Sequence, residues 1–388
     1  MIKLLIGGSP CTYWSIAQKN NRETEPSGMG WELFKNYLIA KEKFKPDFFL
    51  YENNKSADEA IKRQIREELN VWDGTFLMED TGVRYIEINS ALVSAQNRQR
   101  FYVHNCGDVG QPEDRGILLR DILESNDNRI PKYTKDKSRP LTATYKNKGS
   151  GEGSLASECF PDNPNKQVFD YIAEPVRIGT IENNAKNSNY DSKQYRVYSP
   201  DGKSTTLCGQ GGGVGAKTGL YACPTSKSSK TTSIYEVKDG QITIKGKQYP
   251  IKLPDGYYII RKLTVKECCR LQGMPDWWFL DKDGNKILSD SQAYKGLGNG
   301  WQLDTVKYIL EHGLKNVPRN EELIVLSLYD GIATGRRILE ELGFAKVKYY
   351  AYEIDKYCIK LTSYRYPDII HCGDAFKIRN KGEIEKII

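Results

Sequence analysis

The sequence predicts an α/β protein in which a doubly wound, mostly parallel sheet carries a smaller, loop-rich β domain. Three observations predict it. Strand alternates with helix near the C-terminal end, over 323–376, in the rhythm of parallel βαβ units. The same alternation occupies 3–105. Between them, from about 107 to 260, the texture turns to Gly, Ser, Asn, Lys and Tyr in short alternating runs with little helical periodicity. A chain of 388 residues holds two or so domains, since one usually takes about 100–200 residues.

The elements follow in order. Residues 3–8 form a short apolar run ending in Gly-Gly-Ser-Pro, a buried strand that delivers a loop at its C-terminal end. An amphipathic helix is expected over 31–45. After Pro46, DFFLY (47–51) reads as a second buried strand that stops at Glu52-Asn53-Asn54. Ser56 can cap a helix over 57–70, with Asp58 and Glu59 in its first turn. Strands are expected over 83–89 and 100–105, with 96–100 on the turn between them. Helical signals return at 264–272 and 302–314, and the charged stretch KNVPRNEE (315–322) reads as a linker. Then LIVLSLYDGIATGRRILEELG (323–343) is strand, glycine turn and helix, VKYYAYEID (347–355) a strand ending in acid, and IIHCGDAF (369–376) a third strand. The resulting divisions are 1–106, 107–260, 261–314, the linker 315–322, and 323–388.

Composition narrows the chemistry. With 39% hydrophobic and 11% aromatic residues, the chain is too rich in apolar side chains to be disordered. Lys+Arg exceed Asp+Glu by 57 − 50 = 7, which permits a polyanionic partner without requiring one. The cysteines, at 11, 106, 159, 208, 223, 268, 269, 358 and 372, contain no C-x-x-C, against both a disulfide framework and a zinc ribbon. Only His104, His312 and His371 are available for a metal site or a Ser-His-Asp triad, so no metal is expected. The N-terminal MIKLLIGGSPC lacks a signal-peptide core and no apolar run approaches about 20 residues, so a soluble cytoplasmic protein with no membrane contact is expected.

Alone, DGIATG is ambiguous between a nucleotide-like ligand site and a tight βα turn. Glu353, ending the next strand, is where a doubly wound fold grips ribose hydroxyls, and Asp374, closing the third, can accept from an adenine amino group. Together they describe an adenosine cofactor site. At the other end of the chain Cys11 follows Pro10 in a strand-end loop, Glu52 ends the next strand, and Arg98 and Arg100 lie in AQNRQR. Individually these are a small core thiol and surface charges; as a set they are a nucleophile, an acid and two fixed cations.

At these residues the chain resembles the DNA cytosine-5 methyltransferases. GGSPC is similar to their nucleophile loop, YENN to their Glu-Asn-Val motif, and AQNRQR to their Gln-x-Arg-x-Arg motif. RKLTVKECCRLQGMPDWW (261–278) looks like the motif that closes their recognition domain, YKGLGNGW (294–301) like their Gly-Asn motif, and DGIATG, YEID and GDAF like their cofactor motifs. In the family the cofactor motifs come first. Here they come last, so the resemblance implies a circularly permuted class I S-adenosylmethionine-dependent methyltransferase fold with a β target-recognition domain.

The resemblance implies that Cys11 adds to cytosine C6, that Glu52 holds the N3 and amino edge, that Arg100 fixes the base near O2, and that Arg98 positions the nucleophile loop. It implies S-adenosyl-L-methionine as cofactor, leaving as S-adenosyl-L-homocysteine. Tyr329, Asp330, Gly331, Ile332, Ala333 and Thr334 would wrap its methionine portion, Glu353 and Ile354 its ribose, and Asp374 and Ala375 its adenine, with Pro10, Leu33 and Asn299 closing the pocket. Double-stranded DNA is the implied partner, met by Ser15, Arg196, Thr206, Gln210, Gly211, Gly212 and Gly213. Residues 16–30 would close over a flipped base, with Gly28 and Gly30 as hinges. The same reading expects a monomer on DNA and leaves room for a cognate restriction endonuclease. Two rivals are a transfer-RNA cytosine-5 methyltransferase and a catalytically silent DNA-binding homologue.

Overall fold

A computed structural model of the chain describes residues 1–16, 22–72, 74, 79–124, 174–181, 193–209, 218–225 and 234–387. In chain order the first elements are β1 (Ile2–Gly7), α1 (Gly28–Phe44), β2 (Phe48–Asn54), α2 (Glu59–Glu68), β3 (Arg84–Asn89), β4 (Gln99–His104) and α3 (Leu119–Ile122). A second domain supplies β5 (Arg177–Thr180), β6 (Arg196–Tyr198), β7 (Leu220–Thr225), β8 (Ile234–Lys238), β9 (Gln241–Ile244), β10 (Lys247–Pro250) and β11 (Gly256–Arg261). The chain then returns through α4 (Val265–Leu271), α5 (Asp290–Asn299) and α6 (Leu303–Leu314) to β12 (Glu322–Leu328), α7 (Thr334–Glu341), β13 (Lys346–Tyr352), α8 (Lys356–Arg365) and β14 (Ile370–His371).

The first sheet has the order β14-β13-β12-β1-β2-β4-β3. Its strands are parallel from β14 to β2, and β4 runs antiparallel to both β2 and β3. The N-terminal strand thus lies at the centre, paired Ile2↔Leu323 with β12 on one side and Leu4↔Phe48 with β2 on the other. Successive residues of β1 point to opposite faces, and both faces are covered, as a parallel sheet requires. Leu4 and Ile6 pack with Val325, Leu297, Ile309 and Ile338. Leu5 packs on the other face with Phe34, Tyr37, Phe49, Ile61 and Leu326. The second domain is a sheet of order β10-β9-β8-β11-β7-β6-β5 around its own core of Ile178, Val197, Leu220, Val237, Ile242 and Ile260.

Three local expectations are corrected. β2 does not stop before Glu52 but runs to Asn54, because β4 pairs with it through Glu52↔Tyr102 and Asn54↔Arg100. That pairing also draws Gln99 out of the expected turn and into β4, which was expected to open at Arg100. Helix α2 is capped by Asp58, whose carboxylate accepts from Ala60 N at 3.2 Å, and not by Ser56. The Gly-Asn stretch, YKGLGNGW, lies largely in a helix outside the expected ones: Tyr294 to Asn299 are in α5, where Ser289 is the N-cap. Glycine usually weakens a helix, but a Cβ on Gly296 would stand 2.8 Å from Ile332 Cγ2, so close packing on the turn after β12 outweighs propensity here.

Candidate active site at the strand ends

In an open α/β sheet, ligands bind beyond the carboxyl ends of the strands. The C-terminal ends of β1, β2, β12 and β13 here carry Cys11, Glu52, Tyr329 to Thr334, and Glu353. The loop after β1 is seated directly on β2. A Cβ on Gly8 would stand 2.5 Å from the Glu52 carbonyl oxygen and 3.0 Å from its Oε2. Asn53 Nδ2 donates to Ser9 O at 3.0 Å, and Ser9 Oγ pairs with Tyr51 OH at 2.7 Å. Half-buried Cys11 then opens a single 3₁₀ turn whose carbonyl accepts from Trp14 N and Ser15 N at 3.1 and 2.9 Å. Ser15 Oγ accepts from Asn54 Nδ2 at 3.3 Å, which ties the far side of the turn to β2 as well.

Glu52 and Arg100 form a buried ion pair, with Arg100 Nε 2.9 Å from Glu52 Oε1. The pairing is diagonal across the β2–β4 ladder, since Arg100 faces Asn54. Buried Arg98 sits beside it. Burial and then the Arg100 charge push its pKa down, while Glu52 and Cys11 pull it up, so these four residues share one electrostatic neighbourhood. Arg98 was expected to position the nucleophile loop. Its hydrogen bonds go elsewhere: Nη2 donates to Gly300 O at 2.8 Å and Nη1 to Gly298 O at 3.4 Å, at the end of α5.

The turn after β12 is wound tightly, with Tyr329, Gly331 and Ala333 all left-handed at φ 59, 61 and 58. Such backbone costs on the order of 1–3 kcal/mol at each non-glycine residue and persists only when its surroundings over-determine it. Asp330 is one determinant: its Oδ1 accepts from Ser327 Oγ at 2.7 Å and Tyr349 OH at 2.6 Å. Burial pushes its carboxyl up to about 6, with those two hydroxyls opposing the shift. Glu353 is the other. Its Oε2 accepts from Gly331 N at 2.8 Å and its Oε1 from Ile354 N and Asp355 N at 2.8 and 2.7 Å. Beside this carboxylate Ile354 is 73% exposed, an apolar side chain offered to solvent.

Tyr329 OH donates to Leu33 O at 2.8 Å, which brings Leu33 to the turn from α1. Ile332 and Ala375 are buried, and Thr334 Oγ1 is buried at the start of α7 with no protein partner. Asp374 caps the last 3₁₀ turn by accepting from Phe376 N at 2.9 Å, and Pro10 is exposed. A shape with an unmet buried hydroxyl, an exposed apolar side chain and two carboxylates at successive strand ends suits an adenosyl ligand. Among the described residues no group of three or more His, Cys, Asp or Glu could hold a metal ion, and no helix is long and apolar enough to cross a membrane.

The remaining predicted residues divide. Arg196 opens β6 of the second domain opposite Thr180. Thr206 Oγ1 donates to Asn97 O at 2.5 Å, so its hydroxyl is engaged within the protein. Asn299 is exposed, and its Oδ1 lies where a Cβ on Gly209 would fall. Gln210, Gly211, Gly212 and Gly213 lie outside the described residues, as do 17–21 of the expected closing loop. Of its hinges, Gly28 is left-handed at φ 78, whereas Gly30 is a close-approach position, its Cβ falling 2.5 Å from Trp14 Nε1. Sequence reasoning missed two buried polar side chains, Gln96 and Lys203. Gln96 stands in the Gln-x-Arg-x-Arg motif, which was a signal for it, whereas nothing local signals Lys203, a residue type that usually lies at the surface.

The comparisons bear on this geometry. The family model for C-5 cytosine-specific DNA methylase matches residues 1–315. The type II methyltransferase M.HpaII of Haemophilus parainfluenzae is 24% identical over 359 residues, covering 88% of this chain and 72% of that one. M.HhaI of Haemophilus parahaemolyticus is 23% identical over 310 residues, covering 79% and 74%. The orphan methyltransferase M.Rho11sI of Bacillus phage rho11s is 25% identical over 248 residues, covering 56% of this chain; the chain spans only 47% of that relative's length. With a family match over most of its length, the chain belongs to the C-5 cytosine-specific DNA methylases.

Proposed function

We propose that the protein is a sequence-specific DNA cytosine-5 methyltransferase in which Cys11 is the nucleophile, Glu52, Arg98 and Arg100 complete the catalytic group, and the recognition domain within 107–260 reads the DNA. The carrying observation is the seating of the Cys11 loop on Glu52, with Arg100 paired to that carboxylate and Arg98 within the field of both.

Cytosine C5 is a poor nucleophile. Addition of a thiolate to C6 moves electron density onto C5, and the Arg98 charge lies in the same electrostatic neighbourhood as Cys11. Glu52 accepts from the amino edge of the base and stabilises protonation at N3 as the adduct forms, while Arg100 holds the O2 side. S-adenosylmethionine supplies an electrophilic methyl group, and Tyr329 to Thr334, Glu353, Ile354, Asp374 and Ala375 would hold it, with Pro10, Leu33 and Asn299 at the pocket's margin. Loss of the C5 proton then lets Cys11 leave by β-elimination. A stacked cytosine exposes neither face, so the base is flipped out at a cost of a few kcal/mol, and 16–30 close over it.

The order of the chain supports a circular permutation. The cofactor strands β12, β13 and β14 follow the catalytic strands in sequence yet lie beside β1 in the sheet, and the family match ends before β12. The names of the type II relatives support a restriction-modification role, and that of the orphan phage relative a phage-type enzyme without a partner nuclease. Tritiated methyl transfer from S-adenosylmethionine onto DNA and onto tRNA tests the substrate: incorporation into DNA alone is expected, and transfer to tRNA alone refutes the reading. Duplex DNA carrying 5-fluorocytosine tests the nucleophile, since the fluorine cannot leave as a proton does. A denaturant-resistant adduct is expected with the wild type and none with Cys11→Ser.

A further inference from the structure

Lys203 is completely buried, an unusual place for an ammonium without a carboxylate in hydrogen-bond reach. Its Nζ donates to Ile117 O at 2.6 Å, Ala91 O at 2.7 Å and Ser94 O at 3.2 Å, with Asp114 Oδ1 at 4.0 Å. These carbonyls belong to two catalytic-domain segments: the loop that runs into Gln96, Asn97 and Arg98, and the lead-in to α3. Lys203 itself belongs to the stretch that follows β6 and Arg196.

The backbone on both sides of Lys203 is stitched to the same two segments. Gly202 O accepts from Leu119 N at 3.0 Å and Pro200 O from Arg120 N at 2.9 Å. Ser204 N donates to Ala95 O at 2.6 Å, and Ser204 O accepts from Asn97 N at 2.8 Å. Five residues further on, the stretch meets the end of α5: a Cβ on Gly298 would stand 2.3 Å from Cys208 C and Gly209 N. Gly298 is the residue whose carbonyl, with that of Gly300, holds Arg98. One continuous strip therefore runs from Arg196 to the threshold of Gln210, resting on the residue before Arg98 at one point and on the residues that hold Arg98 at another.

Resting on the function proposed above, we propose that Lys203 is a positioning residue that fixes the stretch 196–209 against Arg98, so that correct base contacts and correct placement of the catalytic arginine are coupled. The ammonium sits at the joint where three segments cross. Without it three carbonyls are left unmet and the joint relaxes around water. The recognition strip then shifts relative to Asn97 and Gly298, while the cofactor turn, built from β12 and β13, is untouched.

The test uses the full chain, S-adenosylmethionine and a duplex library with random sequence around each cytosine, read by bisulfite sequencing, so the target site need not be known beforehand. Lys203→Met and Lys203→Gln are compared with wild type for methylation of the preferred context against contexts differing by one base pair, for kcat and KM on the preferred context, for cofactor binding and for thermal melting. A single mismatched pair ordinarily changes affinity by about 5- to 150-fold. Lys203→Met is expected to lose most of that discrimination and to lower kcat more than it changes KM, with cofactor affinity within about two-fold of wild type; glutamine, which keeps a donor, should fall between. Unchanged discrimination in folded variants overturns the proposal. So does an equal loss on all contexts accompanied by lost cofactor binding, and so does failure of both variants to fold, since each makes the lysine a purely structural residue. If the wild type methylates no DNA context, the functional reading fails instead.

Discussion

Replacing Gly8 with alanine should separate positioning from folding at the nucleophile loop. Gly8 has no left-handed φ, so the residue is needed for space alone. Its added Cβ would lie 2.5 Å from the Glu52 carbonyl oxygen, where ordinary contact begins at 3.4 Å, so loop and strand must part by about 3.4 − 2.5 = 0.9 Å. The obstacle is backbone, fixed in the ladder with β4 through Glu52↔Tyr102, so most of the movement falls on the loop carrying Cys11. A misplacement near 1 Å at reacting groups can cost about 10²-fold in rate, and overpacking costs about 1–3 kcal/mol of stability. Single-turnover methyl transfer should therefore slow by about 100-fold, while calorimetric binding of S-adenosylmethionine, held mainly by the turn after β12 and met by this loop only at Pro10, should change far less than the rate. A rate within three-fold of wild type in a folded variant would refute the claim that the Gly8–Glu52 approach sets the geometry of attack.

Cys11→Ser should abolish methyl transfer and preserve cofactor binding, because a hydroxyl is a far weaker nucleophile at neutral pH but nearly isosteric; retained turnover would sink the mechanism. Arg196→Ala should cost about 1–3 kcal/mol of discrimination at one base pair, the worth of a bidentate arginine contact. A uniform loss across all sequences would mark it as a phosphate contact. Asp330 gives a pH dependence with a definite sign. Its folded pKa, about 6, lies above its ordinary 3.8, so the neutral form favours the fold and stability falls as pH rises between the two values. Melting curves of wild type and Asp330→Asn should diverge over that interval, the wild type losing ground; parallel curves would show that the buried carboxyl does not titrate there.

How much of this was legible beforehand depends on the range of the interaction. Leu4, Leu5 and Ile6 announce a strand buried on both faces by their own sequence, and Cys11, Glu52, Glu353 and Asp374 could be placed because strand-end loops are where such a sheet puts its ligands. The Glu52–Arg100 pair was not legible. Its partners are 48 residues apart in sequence and meet diagonally in a ladder whose register no local pattern states. The need for Gly296 and Gly298 was not legible for the same reason, as each approaches a distant neighbour, Ile332 in one case and Cys208 in the other. Lys203 is the extreme case, a residue that composition assigns to the surface and tertiary carbonyls draw inside.

The chain order itself can be tested by undoing it. If the fold is a permuted one, joining the end of the cofactor half to the start of β1 restores the family's motif order without moving any element. The structure gives the two ends a common neighbour. Lys3 Nζ donates to Phe44 O at 2.9 Å at the end of α1, and on the same helix turn Lys43 Nζ donates to Ile378 O at 2.9 Å. Ile384 and Ile387 then pack into the cluster that contains Phe44 and Leu5. Gly/Ser linkers of about 4 to 12 residues have average spans of about 11 to 19 Å, at roughly 5–6 Å times the square root of their length, and such spans suit two ends that flank one helix terminus. The new break belongs in 315–321, between α6 and β12, where the segment is polar and mostly exposed. A chain beginning at Glu321, running to Ile388, joined by such a linker to Met1 and ending at Lys315 should therefore fold, bind S-adenosylmethionine and methylate the same DNA context as the natural order. A shifted context preference would mean that the recognition domain is set by the present connection and not by the sheet. Failure to fold at every linker length would count directly against the permuted architecture, because the only elements disturbed are a linker and two ends that the reading holds to be interchangeable.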